Sequence, residues 1–214
     1  ASFCRNIWKT HTNTMIKPIY LLGEDVLRKQ TEDIEQDSTE LQTLIDDMLE
    51  TMADAKGIGL AGPQIGHLER LFVVDVSAME EDFKEAGIDM PEQPMVFINA
   101  EIEEESEAED DFEEGCLSIP DINETVIRPE GITMSYLDRA FQPQRAYFDG
   151  ILARVIQHEY DHVEGILFID HISAFRRRLL KRRLTEIRNG ITEATYTTYT
   201  KKTGVILPEE DIEE

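Results

Sequence analysis

The run Gln157-His158-Glu159-Tyr160-Asp161-His162 narrows what this chain can be more than any other stretch. On a helix, residues four apart lie one turn above each other on one face, so both imidazoles reach a single metal ion. Glu159 sits beside the first histidine, where a general base would stand. The neighbours support a helix: Ile151, Leu152, Val155, Ile156, Val163 and Ile166 recur at helical spacing. Asp149 occupies a capping position before Gly150, and Gly165 follows as a stop. Polar groups on a buried apolar stripe are costly unless something there satisfies them. Either this is a core helix with two ordinary histidines, or it holds a metal.

At 214 residues the chain can bury one substantial core, so one domain is expected. A main body over 15–190 would be flanked by an extension over 1–14 and a polar, acidic tail over 191–214. Residues 1–14 lack acids and carry Arg5 and Lys9, a faint trace of an organellar import segment, although Met15 serves equally as an internal start. No apolar run reaches membrane-spanning length and no signal-peptide core precedes the body, which points to a soluble, cytoplasmic protein. Two cysteines, Cys4 and Cys116, make no disulfide framework and suit a reducing compartment.

A net charge of −24 argues against DNA or an anionic membrane as the main partner. The charge is uneven. Before His171 there are 12 Lys/Arg against 38 Asp/Glu; from there on, 9 against 7.

Residues 16–22 are apolar but short. A helix is expected after Ser38/Thr39, with Thr39 and Gln42 as a capping box, Leu41, Leu44, Ile45, Met48, Leu49 and Met52 buried, and Glu40, Asp46, Asp47 and Glu50 in water. Four glycines in Gly57–Gly66 free the backbone, but the spacing fits no nucleotide-binding loop. Leu71–Val76 and Met95–Ile98 read as strands separated by a polar loop over 80–94. Ten acids in the fourteen positions Glu101–Glu114 suggest a solvated face or mobile loop. Ile132–Asp138 and Gln144–Phe148 alternate as a hairpin leading into the histidine helix. Ser173 caps a long helix to Asn189 that bears seven basic residues and one acid, Glu186; beyond it no pattern emerges. The architecture expected is α+β, antiparallel strands around a central metal-binding helix with a C-terminal helix.

A catalytic metal needs a third protein ligand and an open position. The common protease continuation would place a histidine where Phe168 stands, and Glu186 belongs to the basic helix. Cys116 is the better candidate, since a thiolate suits iron, zinc, nickel or cobalt. At this point Gly57-Ile-Gly-Leu-Ala-Gly-Pro-Gln64, Glu114-Gly-Cys-Leu-Ser118 and Gln157–His162 resemble, in order, the three signature motifs of peptide deformylases. Gly62 departs from the alanine usual there, which would loosen the loop.

The resemblance implies the ligands Cys116, His158 and His162, with Glu159 as general base and acid. It assigns the Gln64 side-chain amide and the Leu117 backbone N–H to the oxyanion, and Ile58, Gly59 and Gly115 to the substrate backbone. It puts the methionine side chain near Ile151 and Val155, and pairs Arg128 with Glu114 and Asp161. It implies ferrous iron in the cell, with Zn2+, Ni2+ or Co2+ able to replace it. The expected substrates are formylmethionyl nascent peptides, with the ribosome as a partner through Ser173–Asn189. Two alternatives stand beside it, one using the same histidine helix and the other the basic helix with a degenerate site. A metallopeptidase would cleave peptide bonds with a third ligand other than Cys116. A non-catalytic, metal-stabilised ribosome-interacting protein would need neither Glu159 nor Gln64, because structural sites are usually closed by four protein ligands.

Overall fold

The computed structural model describes residues 14–208. The proposed extension over 1–14, with Cys4, therefore lies almost wholly outside the described residues. The chain begins with a two-residue strand, β1 (Ile19–Tyr20), and reaches a first long helix, α1 (Thr39–Asp54). The cap of α1 is Ser38, whose side chain accepts from the Leu41 N–H at 3.1 Å. The expected Thr39/Gln42 box does not form. Gln42 turns outward and donates to Asp37 and to the Arg139 carbonyl. Asp47 is also not in water: it is buried and accepts from the Met15 N–H and Lys17, while Leu49 is only half-buried.

After α1 come β2 (Gly59–Ala61), β3 (Leu71–Val74), a short helix α2 (Glu80–Ala86), and β4 (Met95–Glu105). The stretch expected as a polar loop thus contains α2, ended by Gly87 in the left-handed region at φ 70°. Strands β5 (Glu109–Cys116) and β6 (Ile119–Pro129) form a two-stranded sheet. Then β7 (Gly131–Leu137) and β8 (Pro143–Asp149) make the hairpin and lead into α3 (Gly150–Val163). The main sheet runs β2-β3-β4-β7-β8, antiparallel throughout.

The acidic run is not a mobile loop. Its residues end β4 and build β5, with their carboxylates mostly exposed; Glu103 and Glu104 meet Arg145 from β8. Ladder hydrogen bonds to neighbouring strands override the poor β propensity of glutamate and aspartate.

Strand β3 explains how the core is layered. Successive side chains on a strand point to opposite faces. Phe72 and Val74 pack with Leu152, Ala153 and Ile156 of α3, whereas Leu71 and Val73 pack with Leu44, Ile45 and Met48 of α1. The sheet is therefore covered on both sides, and α3 is held against it as a buried element. Burying each such side chain contributes about 1.5–3 kcal/mol.

The long basic helix is two pieces, α4 (Ala174–Leu179) and α5 (Lys181–Arg188), joined at Leu180. Helix α4 buries nothing, while α5 buries Leu184 and Ile187 against Ile119, Ile122 and Val126 of the β5–β6 region and its flank. The bend brings only the second half onto the core. The tail is also structured. β9 (Thr198–Thr200) pairs in parallel with β1, and β10 (Gly204–Ile206) pairs with β9. Thr198 and Thr200 are each 1% exposed. No helix among the described residues is long and apolar enough to cross a membrane.

Candidate active site

Helix α3 sets His158 one turn from His162, the rings edge-on with centroids 5.2 Å apart. The tight turn between β5 and β6, with an irregularity between Glu114 and Cys116, lifts Cys116 toward them. Its Sγ lies 3.3 Å from His162 Nε2, and one donor atom from each of the three residues falls within 4.8 Å of the others. Phe168, at the position where a third histidine would have been expected, stacks on the His158 ring. Glu186 is taken by Arg182 and Arg183 and has no part here.

A carboxylate sets the orientation of the first histidine. Glu114 Oε2 is 2.9 Å from His158 Nδ1, so that nitrogen donates its proton and Nε2 is left for the centre. Arg128 then joins the acids: Nε reaches Glu114 at 2.7 Å and Nη1 reaches Asp161 at 2.7 Å. This is the pairing expected from the sequence. Two members were missed. Arg154 Nη1 is 3.0 Å from Glu114 Oε1, and His171 Nε2 is 2.7 Å from Asp161 Oδ2. Nothing in the sequence singled out Arg154, a lone cation in the run Ile151–Ile156. It is in fact 6% exposed, turned under β5 and β6.

Burial works against the Glu114 carboxylate, but His158 and Arg128 hold its pKa well below the usual range. Burial also opposes the Cys116 thiolate. The His162 and His158 imidazoles outweigh it and bring that thiol down to about 5. Glu159 goes the other way, pushed up to about 7 by burial despite the two imidazoles.

Gln64 is aimed by its own loop. Its Oε1 accepts from the Ala61 N–H at 2.8 Å, which turns the amide nitrogen toward Ser118 Oγ (3.4 Å) and Cys116 Sγ (3.6 Å). Gly59 is glycine for a steric reason: a Cβ there would lie 2.3 Å from Glu159 Oε1. Gly62 points away from the reacting groups. A methyl there would press on the Glu69 and His67 carbonyls at 3.0 and 3.3 Å, so its absence does not open the cleft.

These pieces line one cleft of about 600 Å3, whose walls include Ile58, Gly59, Gln64, Gly115, Leu117, Ile151, Val155 and Glu159 beside Cys116 and His158. Arg128 and Asp161 stand behind it. The residues fit a divalent metal. A thiolate and two imidazoles form a three-ligand set of the catalytic kind. Two buried polar atoms, Glu159 Oε2 and His162 Nδ1, have no partner among the described residues, and buried polar atoms are rarely left so.

A family model described as polypeptide deformylase matches residues 16–178. A peptide deformylase of Salinibacter ruber is 54% identical over 187 residues, spanning 87% of this chain and 96% of that protein. One from Cytophaga hutchinsonii is 44% identical over 182 residues, spanning 85% and 96%. Among solved structures, a peptide deformylase from Legionella pneumophila superposes with a TM-score of 0.71 at 41% identity, covering 80% of this chain and 95% of that one.

Proposed function

Because the chain belongs to the polypeptide deformylase family, we propose a role for each of its site residues in removing the formyl group from N-terminal formylmethionine. The enzyme is a metal-dependent hydrolase. The single observation that carries the assignment of roles is the meeting of Cys116, His158 and His162 beside a buried, unpartnered Glu159 oxygen. A divalent cation held by those three residues acidifies water and polarises a carbonyl.

Glu159 takes the proton from the attacking water. Its raised pKa suits that exchange, since a base works best near the operating pH. The Gln64 amide and the Leu117 N–H then hold the oxygen that becomes negative as the formyl carbon turns tetrahedral. Glu159 returns the proton to the departing nitrogen, the C–N bond breaks, and formate leaves with a free N-terminal methionine. Ile58, Gly59 and Gly115 pair with the peptide backbone, and Ile151 and Val155 receive the methionine side chain. Glu114, Arg128 and Asp161 fix the His158 tautomer from behind.

Ferrous iron is the ion we assign in the cell, with zinc, nickel or cobalt replacing it; a thiolate on iron is open to oxidation. The working compartment is the bacterial cytoplasm, where formylated chains emerge.

The test is formate release from formyl-Met-Ala-Ser, run anaerobically beside acetyl-Met-Ala-Ser and the unformylated peptide. Only the formyl peptide should turn over quickly, because the Gly57–Gln64 loop and Glu159, packed closely on Gly59, crowd the reacting carbon and leave little room for a methyl. Comparable kcat/KM for formyl and acetyl peptides would contradict the reading, and cleavage of the Met-Ala bond would restore the peptidase alternative.

The basic helices are the surface we propose for the ribosome, with a narrowed set of residues. Arg176 is bound to Glu124, Arg182 to Glu186, and Arg183 to Asp121 and Glu186, so these neutralise the protein's own acids. Arg178, Lys181 and Arg188 make no ion pair among the described residues and share a cleft with Arg28 and Arg177. Reversing Arg178, Lys181 and Arg188 to glutamate should weaken co-sedimentation with ribosomes and lower its salt slope by roughly one per cation. Activity on short formyl peptides should not change. Absence of low-salt co-sedimentation in the parent protein would sink the docking idea.

A further inference from the structure

The segment after α5 lies beyond the residues that the family model matches, yet it forms part of the cleft wall. Tyr196 is 9% exposed, and its phenol O–H donates to the Leu117 carbonyl at 2.7 Å. Leu117 is the residue whose N–H is assigned above to the oxyanion. It occupies the turn between Cys116 and Ile119, where neither strand ladder holds it. That carbonyl belongs to the peptide after Leu117 and the N–H to the peptide before it. The two planes meet at the Leu117 Cα, so rotation of the turn's central peptide would shift the residue that carries the N–H.

We propose that Tyr196 is a positioning residue for deformylation, holding the Leu117 carbonyl and, through the shared Cα, keeping the Leu117 N–H turned to the oxyanion. The inference rests on the reading that Leu117 supplies that donor.

The clamp is itself anchored at both ends. Upstream, Asp121 accepts from the Thr192 hydroxyl and the Glu193 N–H, both at 3.3 Å, and from Arg183 at 2.7 Å. Downstream, β9 locks into the sheet beside β1. Burial raises the pKa of the phenol, so it remains a donor at any working pH. The catalytic unit therefore runs past residue 190 to the β9 strand.

Tyr196→Phe keeps the ring and removes only the donor. In the zinc-loaded enzyme, kcat for formyl-Met-Ala-Ser should fall about three- to tenfold, the worth of one ordinary hydrogen bond. KM, metal content and melting temperature should stay close to the parent's. Tyr199→Phe, on the same segment but stacked on Tyr20, controls for general loosening and should leave kcat unchanged. A crystal structure of the Tyr196→Phe enzyme separates the two ways of failing. Unchanged kcat with the Leu117 N–H unmoved overturns the proposal. Unchanged kcat with that N–H displaced overturns the oxyanion role of Leu117 and leaves the clamp standing. An equal fall in the Tyr199→Phe enzyme also overturns the proposal, since the effect would then belong to the segment and not to the phenol.

Discussion

Replacing Glu159 with alanine should lower kcat by about 10²–10⁴-fold while leaving the metal in place. Both halves follow from where Glu159 sits. Its Oε2 has no partner among the described residues, and nothing in the ligand set leans on it: His158 is oriented by Glu114, and Cys116 contacts His162 and Gln64. Removing the carboxylate takes away proton transfer in both directions, once for water and once for the departing amine. It also removes a buried acid that already costs free energy to ionise, so the fold should not suffer. Metal analysis and single-turnover formate release would be measured together. Activity within a few-fold of the parent would remove Glu159 from the mechanism.

Cys116→Ala should fail in the opposite order, losing the metal first and the activity as a consequence. Changes among the groups that merely orient ligands lower metal affinity roughly 10–100-fold. Deleting a ligand outright should cost more, since the two imidazoles alone lie one helical turn apart and cannot enclose an ion. The thiolate is also the only anionic ligand of the three. Its loss leaves a cation facing two neutral donors. A Cys116→Ala protein that purifies fully metallated would refute the ligand assignment.

The parts of this site that could be read from sequence are those carried by short-range pattern. The apolar stripe of α3 and the four-residue spacing of its histidines survive in the structure because a helix maps spacing directly onto space. The Arg128 pairing came from the family resemblance, with a physical demand beside it: several buried acids near a metal need a cation. Arg154 and His171 answered the same demand, but only the fold of β5 and β6 over α3 shows that they reach it. Tyr196 was beyond reach for a different reason. It is separated from Leu117 by 79 positions, and the segment around it has neither helical nor alternating periodicity. Strand β9 is short, polar and paired with distant β1, and three-residue β10 pairs only with β9, so no long local pattern marks either. The break at Leu180 is likewise set by which half of the helix finds a core, and a continuous run of helix formers conceals it.

The pairing of β1 with β9 has a consequence for how the molecule is made. Ile19 finds its partner only at Thr198, so this sheet edge stays open until the chain has been made past Thr198. Contacts between such distant parts of a chain form late and slowly, because closing the intervening loop must come first. The two histidines and the thiolate can meet earlier, since they lie on α3 and the turn after β5. A partly synthesised copy would thus hold its ligands together before the Leu117 turn is clamped. An enzyme that edits the first residue of other growing chains would then acquire its own Tyr196 contact only once β9 has emerged.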